Sequence, residues 1–514
     1  MLELNLTNPE WSITIPQLIV FGLAMVLLFL DAFLPRAYHF VWLTALSLAG
    51  YAAALIALYW QDGQNESTFG GLFRADGLTV FLSLIILAAA ILTVVVSASY
   101  VEQLEGRMPL GEFYLLLSFS VLGALLTAAA GDLVMIFIGI ELSALATYVM
   151  TAFAKRRVTS LEGALKYFLL GIFASAILVY GMAWIYGASG STDLDAIAAA
   201  LATAGDDEFL DASLLLGLLL LIVGLGFKMA AVPFHFWTPD AYDGAPTPTT
   251  AFMSVVPKAA AFAATVRILV QGLGPLREDW VDLIAILALV TMAFGNVVAI
   301  AQRNVKRMLA YSSIAHTGYM LVGLAAYQSG GGFGTSADAP GATPFGDQGI
   351  SSLLYYIFAY TFMNIGAFAV VAWLQHRGRG LTLDDFAGLA STQPLAAAAM
   401  AIFLVSLMGV PPLLGFYAKY YIILAALDAD LLWLAVSVVV LSAVSAYYYL
   451  RVVAVMYFSE PERTPRPASS TLLNVGIAAM VVATLALGLF SDPIIDLAEE
   501  WSSALTVAGS LASR

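Results

Sequence analysis

Apolar runs of about 20 residues recur from one end of this 514-residue chain to the other, and they restrict its possible folds more than any other feature. A helix of roughly that length crosses about 30 Å of hydrocarbon. Hydrophobic residues make up 61% of the chain and charged residues 11%, whereas an ordinary soluble domain is about 25% charged. Backbone groups in lipid must be satisfied within the segment, so runs this long are helices rather than barrel strands of about ten residues. The expected fold class is an all-α polytopic membrane protein.

We interpret about fourteen of these runs as membrane spans. They lie near residues 14–34, 40–60, 78–98, 111–129, 131–153, 160–188, 212–235, 249–271, 280–301, 306–328, 350–375, 395–425, 432–457 and 471–490. The first run lacks the basic start and small-residue cleavage site of a signal peptide, so we expect it to be a retained helix.

The short loops predict the orientation, because Lys and Arg mark the cytoplasmic side. The even-numbered loops hold only Arg74 and Arg277. The odd-numbered loops hold Arg36, Arg107, Lys155, Arg156, Arg157, Arg303, Lys306, Arg307, Arg377, Arg379, Arg463 and Arg466. Both termini are therefore expected outside, together with the acidic loop between spans 6 and 7, which includes Asp206 and Asp207. Residues 329–349 are interpreted as a flexible outer loop, and residues 493–512 as a short amphipathic helix on the outer surface.

Four of the six lysines, Lys166, Lys228, Lys258 and Lys419, fall within predicted spans. A lysine moved out of water has its pKa lowered and can release its proton, whereas arginine hardly ever does. Each such lysine costs about 2.5–3.5 kcal/mol at mid-span, which favours a function over a structural ion pair or a snorkelling side chain. The structural alternative is strongest for Lys166, which lies near the start of its span.

A carboxylate is available as a partner for these amines. Glu141 lies about ten residues into span 5, and a carboxylate near a buried ammonium favours the charged form of both. Contact between Glu141 and Lys228 is therefore a hypothesis. His235 and His316 are interpreted either as members of the same proton relay or as hydrogen-bonded structural residues.

Prolines accompany the buried lysines and predict interrupted helices. Pro233 follows Lys228, Pro257 precedes Lys258, and Pro411 with Pro412 precedes Lys419. Each proline removes a backbone donor, and the freed carbonyls are tolerated at membrane depth only beside protein or internal water. We therefore expect broken helices 7 and 12.

The interrupted spans also suggest two inverted five-helix repeats, spans 4–8 and 9–13. The corresponding division of the chain is 1–105 (three N-terminal helices), 106–275 (first repeat), 276–460 (second repeat) and 461–514 (last span and tail).

Other kinds of site are disfavoured by composition. The chain has no cysteine and four histidines, so it offers no thiolate iron–sulfur ligand, no covalent haem attachment and no metal-ligand spacing. The aromatic stretch "SAYYYLRVVAVMYF", residues 445–458, is interpreted as helix packing and an interfacial belt.

Two long stretches carry a family resemblance. They are "FKMAAVPFHFWTPDAYDGAPTPTTAFMSVVPKAAAF", residues 227–262, and "QRNVKRMLAYSSIAHTGYML", residues 302–321. Both resemble the signature of the antiporter-like membrane subunits of respiratory complex I, the proton-translocating NADH:quinone oxidoreductase. Within that family they resemble the N-type branch. The resemblance implies that Glu141 and Lys228 form a sensing pair, that Lys258 is a central relay, and that Lys419 is the station before the outer exit. It also implies that Lys166 and His235 lie near the inner half of the channel and that His316 is the histidine of span 10.

The same resemblance implies the partners and location. These are neighbouring M-type and K-type membrane subunits in a hetero-oligomer, membrane lipid, and no nucleic acid, in a bacterial inner membrane or alternatively a thylakoid membrane. It implies no cofactor on this chain, while NAD, FMN, iron–sulfur clusters and quinone belong to the whole complex. Two alternatives remain open, namely a subunit of a multi-subunit sodium/proton antiporter and a structural spacer of the membrane arm.

Overall fold

The computed structural model describes residues 10–61, 63, 65–103, 110–203, 208–328, 348–375, 382–461 and 470–501. In these ranges the chain forms the α-helices Ile15–Phe33 (α1), Arg36–Leu58 (α2), Gly77–Gln103 (α3), Leu110–Ala128 (α4), Leu133–Thr151 (α5), Val158–Ser189 (α6), Leu194–Thr203 (α7), Glu208–Met229 (α8), Thr238–Gly244 (α9), Thr247–Met253 (α10), Val256–Val266 (α11), Arg277–Ile300 (α12), Val305–Ala325 (α13), Gln348–Leu374 (α14), Leu389–Thr392 (α15), Pro394–Met408 (α16), Leu414–Asp428 (α17), Leu432–Phe458 (α18) and Thr471–Leu489 (α19). Short 3-10 helices lie at Trp11–Thr14, Gly274–Leu276 and Leu383–Phe386, and α11 continues as a π-helix at Arg267–Gly272. A small antiparallel hairpin pairs β1 (Glu66–Thr68) with β2 (Phe73–Ala75).

The all-α polytopic membrane class is confirmed. In the described ranges, 12 helical segments are long and apolar enough to cross a membrane, and they match twelve of the predicted spans. The other two predicted spans correspond to α13 and to the pair α16 and α17. The count of fourteen, the inverted repeats and the division of the chain into 1–105, 106–275, 276–460 and 461–514 stay predictions.

The predicted broken helices 7 and 12 are confirmed. Helix α8 ends at Met229 and α9 begins at Thr238, while α16 ends at Met408 and α17 begins at Leu414. Span 8 is also interrupted, between α10 and α11. All three interruptions fall beside the prolines noted above, as expected from the missing backbone donors.

The prediction that Lys306 lies in a loop is wrong. The side chain of Asn304 accepts hydrogen bonds from the backbone N–H groups of Lys306 (2.9 Å) and Arg307 (3.3 Å), and this cap starts α13 at Val305. Lys306 is fully buried, and its ammonium donates to the carbonyls of Asp243 (3.2 Å) and Ala245 (2.7 Å) at the end of α9. The Lys306 ammonium therefore binds backbone carbonyls at the C-terminal end of α9 instead of facing water.

Helix α13 lies at the centre of the bundle and packs closely on α12. A Cβ added to Gly295 would lie 2.6 Å from the backbone nitrogen of Ala315, and one added to Gly318 would lie 2.5 Å from that of Met292. Small residues allow backbones to approach in this way in membrane helices. The approach brings the polar side chains of α13 within reach of several neighbouring helices.

A buried ion pair that we did not single out from the sequence joins the start of α3 to the end of α11. The guanidinium of Arg267 is fully buried and binds both carboxylate oxygens of Asp76, at 2.6 and 2.8 Å. It also donates to the carbonyl of Ala128 at 2.9 Å. These acceptors satisfy N–H groups of the buried guanidinium, so the ion pair connects the N-terminal helices to the rest of the bundle.

Part of the sequence interpretation falls outside the described residues. Residues 492–501 are helical, as the amphipathic-helix interpretation expects. The remainder of that segment lies outside the described residues, as do 329–347 of the predicted outer loop, Arg107, Asp206, Asp207, Arg377, Arg379, Arg463 and Arg466.

Candidate functional site

The break after α8 places Lys228 against two other helices. The ammonium of Lys228 donates to Glu141 Oε1 of α5 at 2.7 Å and to Ser175 Oγ of α6 at 3.0 Å. Ser175 itself donates to Glu141 Oε1 at 2.5 Å. The two charged side chains are only 7% and 17% exposed. The contact that the sequence led us to expect is therefore present, and a hydroxyl joins the pair.

Aromatic side chains hold the α8 break in place. Trp237 donates from Nε1 to the carbonyl of Phe227 at 3.1 Å, which ties the start of α9 to the residue before Lys228. The Trp237 ring stacks on Tyr167, with 4.1 Å between ring centroids. Tyr167 in turn contacts Tyr148 edge-on at 4.4 Å. These contacts fix the geometry of the unwound segment.

Lys258, at the start of α11, has hydroxyl and carbonyl partners. It is 3% exposed and donates to Ser313 Oγ (2.6 Å), Ser313 O (2.8 Å) and Thr317 Oγ1 (2.9 Å), all on α13. The hydroxyl of Thr317 in turn donates a hydrogen bond to the carbonyl of Met229, at the end of α8, at 2.9 Å. The break after Lys228 and the amine of Lys258 thus meet the same turn of α13.

Lys419, on α17, lies where the chain unwinds after α16. It is 5% exposed and donates to the Met408 carbonyl (2.9 Å) and to Ser442 Oγ of α18 (2.7 Å). Its ammonium also lies 4.8 Å from the centre of the Tyr319 ring, a cation–π contact. A cavity of about 360 Å³ lies beside Lys419 and Ser442 and is otherwise lined mainly by apolar side chains. This volume has room for several water molecules.

His316, on α13, is bonded through both ring nitrogens. Nδ1 lies 2.7 Å from the hydroxyl of Tyr356, and Nε2 lies 3.1 Å from the hydroxyl of Tyr449. The Tyr449 hydroxyl also bonds Ser312. Ser312 and His316 occupy one side of α13. The next residue after each of them, Ser313 and Thr317, binds Lys258 on the adjacent side of the helix. His316 therefore lies beside the Lys258 site, in a network of hydroxyl groups.

Two of the proposed site residues lie apart from this group. Lys166 is 44% exposed and pairs with Glu162 and with Asp240 of α9, both at 2.7 Å. His235 is buried against Phe236 and Phe294, and its Nδ1 has no hydrogen-bond partner among the described residues. The structure thus gathers Glu141 with Lys228, and Lys258 with His316, while Lys166 is partly exposed and His235 is buried among aromatic rings in the break after α8.

The sequence analysis missed several residues of this site. Ser175, Ser313 and Ser442 each bond a buried lysine. Tyr449, which we interpreted as packing, bonds His316. Polar residues at three- and four-residue spacing in otherwise apolar runs were a usable signal, because they mark one helix face.

The chemistry open to this arrangement is proton transfer. Lysine, glutamate, histidine, tyrosine and serine side chains all accept or donate protons, and within each cluster neighbouring groups lie within hydrogen-bonding distance. The described residues contain no group of three His, Cys, Asp or Glu side chains placed to hold a metal ion.

Comparisons with known proteins show which family this chain belongs to. The family described as "NADH:quinone oxidoreductase/Mrp antiporter, TM" matches residues 130–336 and 341–445. "NADH-quinone oxidoreductase subunit N 2" of Roseiflexus castenholzii is 41% identical over 97% of this chain and 98% of the relative. "NADH-quinone oxidoreductase subunit N" of Chloroflexus aggregans is 42% identical over 96% of this chain and 98% of the relative.

Solved structures match over nearly the whole chain. A chain of respiratory complex I from Thermus thermophilus with bound aureothin is 33% identical, with a TM-score of 0.76, covering 93% of this chain and 98% of that one. A chain of the Mrp complex from Dietzia sp. is 21% identical with a TM-score of 0.82, covering 98% of this chain and 99% of that one, and shows the fold alone. This chain therefore belongs to the family of NADH:quinone oxidoreductase and Mrp antiporter membrane subunits.

Proposed function

We propose that this chain is the N-type antiporter-like subunit of a proton-translocating NADH:quinone oxidoreductase and that it moves protons across the membrane. In this proposal the whole complex is the translocase, and partner subunits carry NAD, FMN, the iron–sulfur clusters and quinone. The neighbours are M-type and K-type membrane subunits, and the location is a bacterial inner membrane with both termini outside. A thylakoid membrane is the alternative location.

The observation that carries the proposal is the buried pair of Glu141 and Lys228 at a helix break. A carboxylate favours the charged form of a neighbouring buried ammonium. Separating the pair would therefore lower the proton affinity of Lys228, and joining it would raise that affinity. Electrostatic changes caused by quinone reduction in partner subunits would supply the movement.

The proton leaving Lys228 then passes to Lys258 and on to Lys419. The hydrogen bonds from Lys258 to Thr317 and from Thr317 to the Met229 carbonyl at the end of α8 support the first step. The cavity beside Lys419 supports the last step, because water next to an amine can accept its proton. Lys166 and His235 are proposed to act at the inner entrance.

The test replaces the amines in the intact complex reconstituted in liposomes. We expect Lys258→Met and Lys419→Met to lower the rate of NADH-driven proton uptake by about 100-fold. Oxidation of NADH by ferricyanide should stay unchanged, because that reaction needs only partner subunits. The matched control is Lys155→Met, since Lys155 is exposed between α5 and α6. Full pumping by both variants would reject proton transfer and favour a structural spacer.

A sodium/proton antiporter subunit is the second candidate, because the description of the matching family also names the Mrp antiporter. Copurification in mild detergent separates the two proposals. Flavin and iron–sulfur subunits in the purified assembly support the oxidoreductase, and their absence supports the antiporter.

A further inference from the structure

One face of α18 connects the surroundings of His316 with Lys419. Ser442, Ser445 and Tyr449 are spaced by three and four residues, so they lie on the same side of the helix. Ser442 bonds Lys419 at 2.7 Å, and Tyr449 lies 3.1 Å from His316 Nε2. Ser445 lies between them, 1% exposed, and its hydroxyl donates to the Ser442 carbonyl at 2.6 Å. We call these three residues the α18 hydroxyl face.

The three consecutive tyrosines of α18 have different environments, and only one of them belongs to this face. Tyr447 is 59% exposed. Tyr448 is buried and donates to Asn296 Oδ1 at 3.0 Å, and its hydroxyl also contacts those of Tyr449 and Ser312. Tyr449 is 1% exposed and bonds both His316 and Ser312. Since the rings are chemically identical, position alone selects Tyr449 as a proton carrier.

Tyr319 also lies beside Lys419, and its geometry argues against a role as proton carrier. It offers the face of its ring to the ammonium, at 4.8 Å from the ring centre. Its hydroxyl accepts from Asn296 Nδ2 at 3.0 Å. The phenol oxygen of Tyr319 is therefore bonded to Asn296, whereas Ser442 of α18 accepts a hydrogen bond from the amine directly.

We propose that the α18 hydroxyl face carries the proton from His316 to Lys419, which makes Tyr449 a catalytic residue of translocation. At Tyr449, a new O–H bond forms as the Nε2–H bond of a doubly protonated His316 breaks, and the original O–H bond breaks as its proton leaves towards Ser445. His316 is left as neutral imidazole, the phenol is neutral before and after the transfer, and no electrons are exchanged. Seven residues of helix rise about 10 Å, so this route requires water to bridge the steps between the three hydroxyls. This inference rests on the function proposed above.

The test uses the adjacent Tyr447 as a matched control in the intact, reconstituted complex. We expect Tyr449→Phe to lower the rate of NADH-driven proton uptake by about 10-fold to 100-fold, because the ring stays and only the proton-carrying oxygen is lost. Tyr447→Phe should leave the rate within about two-fold of the parent, since Tyr447 is 59% exposed and lies off the path. Ser445→Ala should also lower the rate of proton uptake. Recovery of this subunit in the purified complex verifies assembly, and unchanged oxidation of NADH by ferricyanide shows that the redox subunits are intact.

Lys258→Met in the same series separates the two proposals. If Lys258→Met stops pumping while Tyr449→Phe pumps normally, the α18 route is wrong and the proposed function stands. If both variants pump normally, the proposed function fails. An equal loss in Tyr447→Phe and Tyr449→Phe would assign the effect to packing and overturn the role of Tyr449.

Discussion

Each buried lysine is held by a different set of partners, and the partners decide how the site responds to replacement. Only Lys228, among the three lysines at helix breaks, has a carboxylate within bonding distance in the described part of the chain. Lys258 and Lys419 rely on hydroxyl and carbonyl oxygens. A buried charge that loses its partner is costly, whereas removing both charges together is often tolerated.

This asymmetry gives a prediction for the Glu141 and Lys228 pair. Lys228→Met leaves the Glu141 carboxylate with Ser175 alone, and we expect it to destabilise the subunit by about 3–5 kcal/mol. The double variant Glu141→Gln with Lys228→Met should recover most of that loss, because no lone charge remains. The measurement is the thermal denaturation midpoint of the subunit in the solubilised complex. A double variant that is no more stable than Lys228→Met would show that the pair is not the source of the cost.

At the scale of elements, the helix breaks determine where the lysine amines lie, and local backbone geometry determines where the helices break. Helix α16 ends at Met408 and is followed by Gly409, which has φ +92°, a left-handed conformation that suits glycine. A Cβ at this position would lie 2.9 Å from Cδ of Lys419. The glycine therefore ends the helix and leaves room for the lysine.

We expect Gly409→Ala to lower both stability and proton pumping. The left-handed conformation costs about 1–2 kcal/mol for a residue with a Cβ, and the new methyl group displaces the Lys419 side chain. The control is Gly187→Ala, because Gly187 is exposed on α6 and an added Cβ meets nothing within 4 Å. Proton uptake and thermal stability are measured for both variants. Equal behaviour of the two would mean that the α16 break does not depend on this glycine.

At the scale of the whole molecule, polar segments gather at opposite ends of the bundle. The loop between α5 and α6 holds three consecutive cations, Lys155, Arg156 and Arg157. The loop between α6 and α8 contains α7 and the acidic residues Asp193 and Asp195, both close to Arg74. Because basic loops stay in the cytoplasm, this arrangement predicts that α7 lies outside.

The absence of cysteine from the chain allows a direct test of this orientation. We expect a cysteine at Thr203, exposed at the end of α7, to react with a membrane-impermeant thiol reagent in intact cells. A cysteine at Arg156, exposed between α5 and α6, should react only after the membrane is opened. Labelling is read on this subunit after separation from its partners. The reverse pattern would invert the proposed orientation and move both termini to the cytoplasm.

The sequence by itself determined the membrane class, the positions of most helices, the breaks beside proline and the identity of three buried lysines. These features depend on hydropathy and backbone chemistry over short stretches of chain, which a single sequence displays. Lys306 shows the limit of that reasoning, because a cation at the end of a run resembles a loop residue until its acceptors are known.

Only the tertiary structure decided which polar groups meet. Glu141 and Lys228 are 87 residues apart, and His316 and Tyr449 are 133 apart. Such contacts depend on how the helices pack around α13, and that packing is set by small residues and side-chain shapes over the whole bundle. Tyr447, Tyr448 and Tyr449 cannot be told apart in the sequence. Their different environments depend on which side of α18 faces each neighbouring helix.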